Sequence, residues 1–157
     1  MTTAGRLLAA AAVSGAVAVA VGAFGAHALR EAVTPDRLGT WQTGASYHLA
    51  HAVVGALAAV VGRESRWARR AASLFLAGTL LFSGSLYALV LLDAAWLGAV
   101  TPLGGVAFIA GWIALAVDGK EFKTFETPEE TAEALLSLAR EHNLAPSFMI
   151  LFEEDAA

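Results

Sequence analysis

Cysteine is absent from this chain of 157 residues, which removes disulfides, thiolate metal sites and cysteine nucleophiles from consideration. Lysine is missing before Lys120, and no Asp, Glu, Lys or Arg interrupts Leu7–Leu29, Leu38–Gly62, Ala71–Leu92 or Ala94–Val117. Only 15% of the residues are charged, against roughly 25% in soluble domains. With a mean hydropathy of +0.62 this does not read as a water-soluble globule. Also lacking are a nucleophile–base–acid set, a pair of carboxylates among the apolar runs and a phosphate-cradling loop. Gly22-x-x-Gly25 lies inside an apolar run and cannot serve as one. No enzymatic activity and no cofactor is expected.

What is present is apolar length. A helix crosses a bilayer in about 20 residues at a rise of about 1.5 Å each. In hydrocarbon every backbone N–H and C=O must be paired within the chain, so helices are the default. The four uncharged runs therefore predict an all-α integral membrane four-helix bundle over residues 1–117, with spans at about 7–29, 43–62, 71–92 and 97–117. Arg6 and Leu7–Ala23, followed by Ala26-His27-Ala28, resemble a signal peptide with its cleavage site. The apolar run exceeds the roughly 7–15 residues of such a segment, and it is read as a retained first span.

Charge sets the orientation. Residues 1–117 carry seven arginines against four acids, whereas 118–157 carry three basic residues against ten acids. Four of the seven arginines fall in Arg63-Glu64-Ser65-Arg66-Trp67-Ala68-Arg69-Arg70, between spans two and three. Short basic loops resist translocation, so this loop is placed inside and both termini follow it: N-in/C-in. Trp41, Trp67 and Trp96 fall at span ends, where an indole keeps its N–H wet, while Trp112 is expected to pack. Thr101-Pro102 looks like a helix start, and Glu31–Thr40 like a surface helix or loop.

Small residues recur at helical spacing: Ser14, Ala18, Gly22 and Ala26; His51, Gly55, Ala58 and Gly62; Gly104, Ala107, Gly111 and Ala114. Lipid offers no hydrophobic drive between helices, so close backbone approach holds a bundle together. One such face left over would suit a homo-oligomer.

The blocks Gly22-Ala23-Phe24-Gly25-Ala26-His27-Ala28-Leu29, Trp41-Gln42-Thr43-Gly44 with Tyr47-His48-Leu49-Ala50-His51, Leu81-Phe82-Ser83-Gly84-Ser85-Leu86-Tyr87 and Thr101-Pro102-Leu103-Gly104-Gly105 follow one another in order. Together they resemble the small membrane protein family called domain of unknown function 423, which includes transmembrane protein 256. The resemblance covers about residues 5–117 and implies a bacterial inner-membrane protein with four spans. It brings no activity and no catalytic residue. Members of that family usually end soon after the fourth span, and here 40 further residues follow.

Ionisable groups within membranes are functional candidates by default. His27, His48 and His51 are the ones here, with the hydroxyls of Ser83, Ser85 and Tyr87 in the third span. His48 and His51 share a helical face, and His27 closes the first span near the same, outer side. The bland alternative is that these groups hydrogen-bond neighbouring helices. A haem or metal site is the less favoured one, because no carboxylate or thiol lies among the spans to complete a ligand set.

The acidic residues 118–157 are read as strand–helix–strand: a strand near Lys120–Glu126, a helix capped by Thr127-Pro128-Glu129-Glu130, and an apolar run Ser147–Phe152. So short a unit can scarcely bury its own apolar surface, so it is expected to need a protein partner, a second copy or the cytoplasmic face of the bundle. It is native, a fused piece of another protein, or a sequence appended for expression. The favoured function is structural or interactive, with the lipid bilayer and partner proteins, not nucleic acid, as contacts. A small channel or transporter is the alternative, and its weakness is that no charge and no internal repeat lies in the spans.

Overall fold

A computed structural model of the protein describes residues 1–119 and Ser137. The chain divides after Glu121 into two units, and the strand–helix–strand reading of the acidic extension lies outside the described residues. The first unit is all helical: α1 (Thr3–His27), α2 (Pro35–Val61), α3 (Arg66–Leu92), a 3-10 turn (Ala95–Ala99) and α4 (Thr101–Gly119). Four of its segments are long and apolar enough to cross a membrane.

Local chemistry explains the helix ends. The Thr2 hydroxyl accepts the Gly5 N–H at 3.1 Å and starts α1, as the Ser65 hydroxyl accepts those of Trp67 and Ala68 to start α3. Such caps satisfy N–H groups that the helix itself cannot. Pro35 opens α2 behind Thr34, where its missing N–H is no loss. Hence α2 begins before the uncharged run Leu38–Gly62 does, and part of the segment expected as a surface helix or loop forms its first turns. α3 ends at Asp93, whose φ of 54° is left-handed, a conformation that Asp tolerates better than most residues. Its carboxylate pairs there with Arg37 from the start of α2.

α3 is the hub. It packs broadly against α2 on one side and α4 on the other, while α1 lies mainly on α2 and touches α3 more lightly. The core is built of small residues, with Ala11, Ala58, Ala59, Ala68, Ala71 and Ala72 at 0–1% exposure around a fully buried Phe75. Larger aliphatics face outward: Val13 and Val19 on α1, Val53 and Leu57 on α2, Leu80 and Leu92 on α3, Val106 and Ile113 on α4. Water would drive the large side chains in. Lipid does not, and close-packed backbones take the interior instead.

Small residues carry that packing through specific partners. A Cβ on Gly78 would come within 2.5 Å of the Phe108 ring, and one on Gly111 within 2.7 Å of the Phe75 ring. α3 and α4 thus exchange rings for glycines in both directions. Gly25 of α1 lies against the Trp41 indole, and Gly44 of α2 against Tyr87. The buried residues of α1 are Ala4, Ala11, Ala18 and Gly25, spaced by seven as in a coiled-coil seam. In the four-residue stripe expected for this helix only Ala18 is fully buried and Ala26 is exposed; Gly22 has nothing within 4 Å of a Cβ. The α2 stripe of His51, Gly55, Ala58 and Gly62 is buried throughout.

Candidate functional site

His48 occupies the midpoint of α2, thirteen residues from either end. Its Nε2 lies 3.0 Å from the Ser14 hydroxyl of α1, and its Nδ1 lies 3.2 Å from the Tyr87 hydroxyl of α3. One imidazole therefore joins three helices in a chain of three polar groups. Both hydroxyls donate or accept, so a neutral ring is satisfied in either tautomer. The ring is 6% exposed. Above it the Tyr87 ring packs against the Trp41 indole, with centroids 4.5 Å apart, and the Trp41 N–H donates to the Val21 carbonyl at 2.8 Å.

That last bond corrects the expectation for Trp41. At 3% exposure it is a buried fastener between α1 and α2, not an indole in the headgroup layer. Trp96 is 71% exposed in the 3-10 turn. Trp112 is half exposed, with an edge toward the Phe75 ring at 5.3 Å.

The other candidates are distributed differently. His51 lies one turn beyond His48, and its Nδ1–H donates to the Tyr47 carbonyl of its own helix at 2.8 Å. The ring stacks on Phe108 of α4, with centroids 3.5 Å apart. His27 ends α1, exposed, thirteen residues or about 20 Å along the helix from Ser14, so the three histidines do not form one group. Ser85 donates to the Phe82 carbonyl at 2.9 Å and meets the Thr101 hydroxyl at 2.8 Å, tying α3 to the start of α4. Ser83 is fully buried, and among the described residues its hydroxyl has no hydrogen-bond partner. Tyr87 belongs with His48, and Ser14, noticed in the sequence only for its size, completes that cluster.

Asp118 is the second partner that sequence does not reveal. It is 4% exposed in the last turn of α4 and accepts a hydrogen bond from the Ser65 hydroxyl that caps α3. Among the described residues no group of three His, Asp or Glu side chains is arranged to hold a metal ion.

Four apolar helices whose polar side chains mostly bond one another or their own backbone, surrounded by outward aliphatics, define an integral membrane protein. The chain belongs to the family described as protein of unknown function (DUF423), which it matches over residues 21–105. It is 44% identical over 110 residues to the UPF0382 membrane protein YwdK of Bacillus subtilis, covering 68% of this chain and 89% of that protein. Identity to the UPF0382 inner membrane protein YgdD of Escherichia coli K12 is 42% over 115 residues, covering 72% and 88%. A Staphylococcus aureus UPF0382 membrane protein is 39% identical over 105 residues, covering 64% and 84%. No solved structure matches the chain.

Proposed function

We propose that the protein is a structural or interaction component of the bacterial inner membrane, acting through partners and not by catalysis or transport. The supporting observation is how the intramembrane polar groups are used. His48, Tyr87 and Ser14 are engaged with one another, His51 with its own helix, and Ser85 with Thr101. Each is a fastener inside the bundle. A haem or metal would have to compete with both bonds for His48. The acidic extension of 118–157, net −7, is the segment best suited by charge to a protein partner.

The orientation belongs to the same proposal. Arg6, Arg63, Arg66, Arg69 and Arg70 gather at the end of the bundle where α1 begins and α2 finishes. At the other end Arg37 is neutralised by Asp93. Ion pairing therefore deepens the charge asymmetry on which topology depends, in favour of N-in/C-in.

One observation favours the channel or transporter alternative: the Ser14–His48–Tyr87 chain meets at the midpoint of α2, where protons could pass between hydroxyl and imidazole. Proteoliposomes containing a pH-sensitive dye separate the two. The interaction reading expects proton entry equal to that of empty vesicles. Proton entry that disappears in His48→Gln overturns it.

A further inference from the structure

The end of the bundle at which α1 starts holds two cavities that share a wall. One, of about 590 Å³, is lined by Thr3, Gly5 and Leu8 of α1, Ala59 of α2, Arg63, and Arg69 of α3. The other, of about 580 Å³, lies beside Leu7, with Arg66, Arg69, Arg70, Ser73 and Leu74 of α3 around it. Thr3 and Arg69 border both. Each cavity combines a guanidinium rim with aliphatic side chains one helical turn deeper, Leu8 and Ala59 in one and Leu7 and Leu74 in the other.

No described carboxylate compensates the rim charge. Among the described residues the ion pair is Arg37–Asp93, at the opposite end, and none of Arg63, Arg66, Arg69 or Arg70 has a carboxylate partner. Of the described acids at this end, Asp118 accepts from Ser65, and Glu64 is exposed and borders neither cavity. Arg69 is also positioned. One of its N–H groups donates to the Gly62 carbonyl at 2.7 Å, which holds the guanidinium between the cavities with further donors to spare. Arg70 and Arg66 lie 4.7 and 5.7 Å from the Trp67 ring centre, so an indole braces them at the level of the headgroups.

We propose that these cavities bind an anionic glycerophospholipid, its phosphate held by Arg69 with Arg63, Arg66 and Arg70, and its acyl chains lying against Leu7, Leu8 and Leu74. A guanidinium fork suits phosphate oxygens in pairs, and basic pockets between spans favour such headgroups. The aliphatic depth selects a lipid over a soluble phosphate. The inference stands apart from the protein-partner role and holds without it.

Native mass spectrometry of the full chain, in micelles with equal phosphatidylglycerol and phosphatidylcholine, tests it. The expected result is retention of phosphatidylglycerol over phosphatidylcholine by about tenfold or more, falling to parity in R63Q/R66Q/R70Q and unchanged in R30Q at the other end. Thr3→Trp fills the wall common to both cavities without removing charge, and the same loss is expected of it; this variant carries the test if the triple one does not fold. Excess inorganic phosphate is expected to leave the lipid bound. Equal retention of the two lipids by the wild type, undiminished selectivity in both variants, or displacement by inorganic phosphate alone overturns the proposal.

Discussion

Two serines two positions apart on α3 show how much a hydroxyl depends on what surrounds it. Ser85 reaches Thr101 across the α3–α4 contact and its own Phe82 carbonyl. Ser83, fully buried, reaches no partner among the described residues. A buried hydroxyl without a partner is destabilising by about 1–3 kcal/mol, whereas an interhelical bond in a membrane contributes only about 0.6 kcal/mol. The two alanine substitutions should therefore differ in sign. Ser83→Ala is expected to raise the thermal unfolding midpoint in detergent, by an amount equivalent to about 1 kcal/mol, and Ser85→Ala to lower it slightly. A loss of stability in Ser83→Ala would mean that its hydroxyl has a partner after all. Glycines diverge in the same way. A Cβ on Gly104 meets the backbone of Phe82, which cannot swing aside, while one on Gly22 meets nothing within 4 Å. Gly104→Ala should thus part α3 from α4 at about 1–3 kcal/mol, and Gly22→Ala should be neutral or stabilising through helix propensity. Circular dichroism melts of the two variants side by side decide this.

At the scale of the helices, His48 makes α1, α2 and α3 answer to one another. If its two bonds are independent fasteners, a double-mutant cycle between Ser14→Ala and Tyr87→Phe gives a coupling near zero. If they form one polarised chain through the imidazole, removing the first weakens the second, and a coupling of about 0.5 kcal/mol or more is expected. Thermal unfolding of the four cycle members measures it, and additive losses would refute the chain. Such pairings are invisible in a single sequence, because they depend on the register between helices and not on spacing within one. Uncharged length was legible, since hydrocarbon tolerates no unpaired charge, and it locates four helices. It does not locate their ends. α2 runs back to Pro35 through Asp36 and Arg37, because a helix continues past the hydrocarbon wherever a cap and a proline support it. Trp41 departs from its expected place at a span end for a related reason. Its burial follows from Gly25 on the neighbouring helix, where a missing Cβ leaves room for an indole.

For the whole molecule, the proposed orientation rests on where basic side chains gather. Seven arginines precede residue 118, yet Arg37 is tied to Asp93, and Arg30 stands next to Glu31. At the end carrying Arg6 and the α2–α3 connector no described arginine is in an ion pair, and translocating it is correspondingly costly. A phosphatase reporter fused after Ala157 is expected to be inactive, since its enzyme works only when exported, while a fluorescent protein there should be bright. Removing Arg63, Arg66, Arg69 and Arg70 would leave Arg6, Lys120 and Lys123 to hold the termini inside against Arg30 and Arg37, so a count of basic residues predicts a topology near balance. The pairing of Arg37 sharpens this: with Asp93→Asn added, that guanidinium is released at the opposite end, and the balance should tip toward an exported C-terminus. Asp93→Asn in an otherwise unchanged chain should not flip it, because Arg63, Arg66, Arg69 and Arg70 outweigh one released guanidinium. Reporter activity across these three variants separates a topology set by residue count from one set by the charge that folding leaves free.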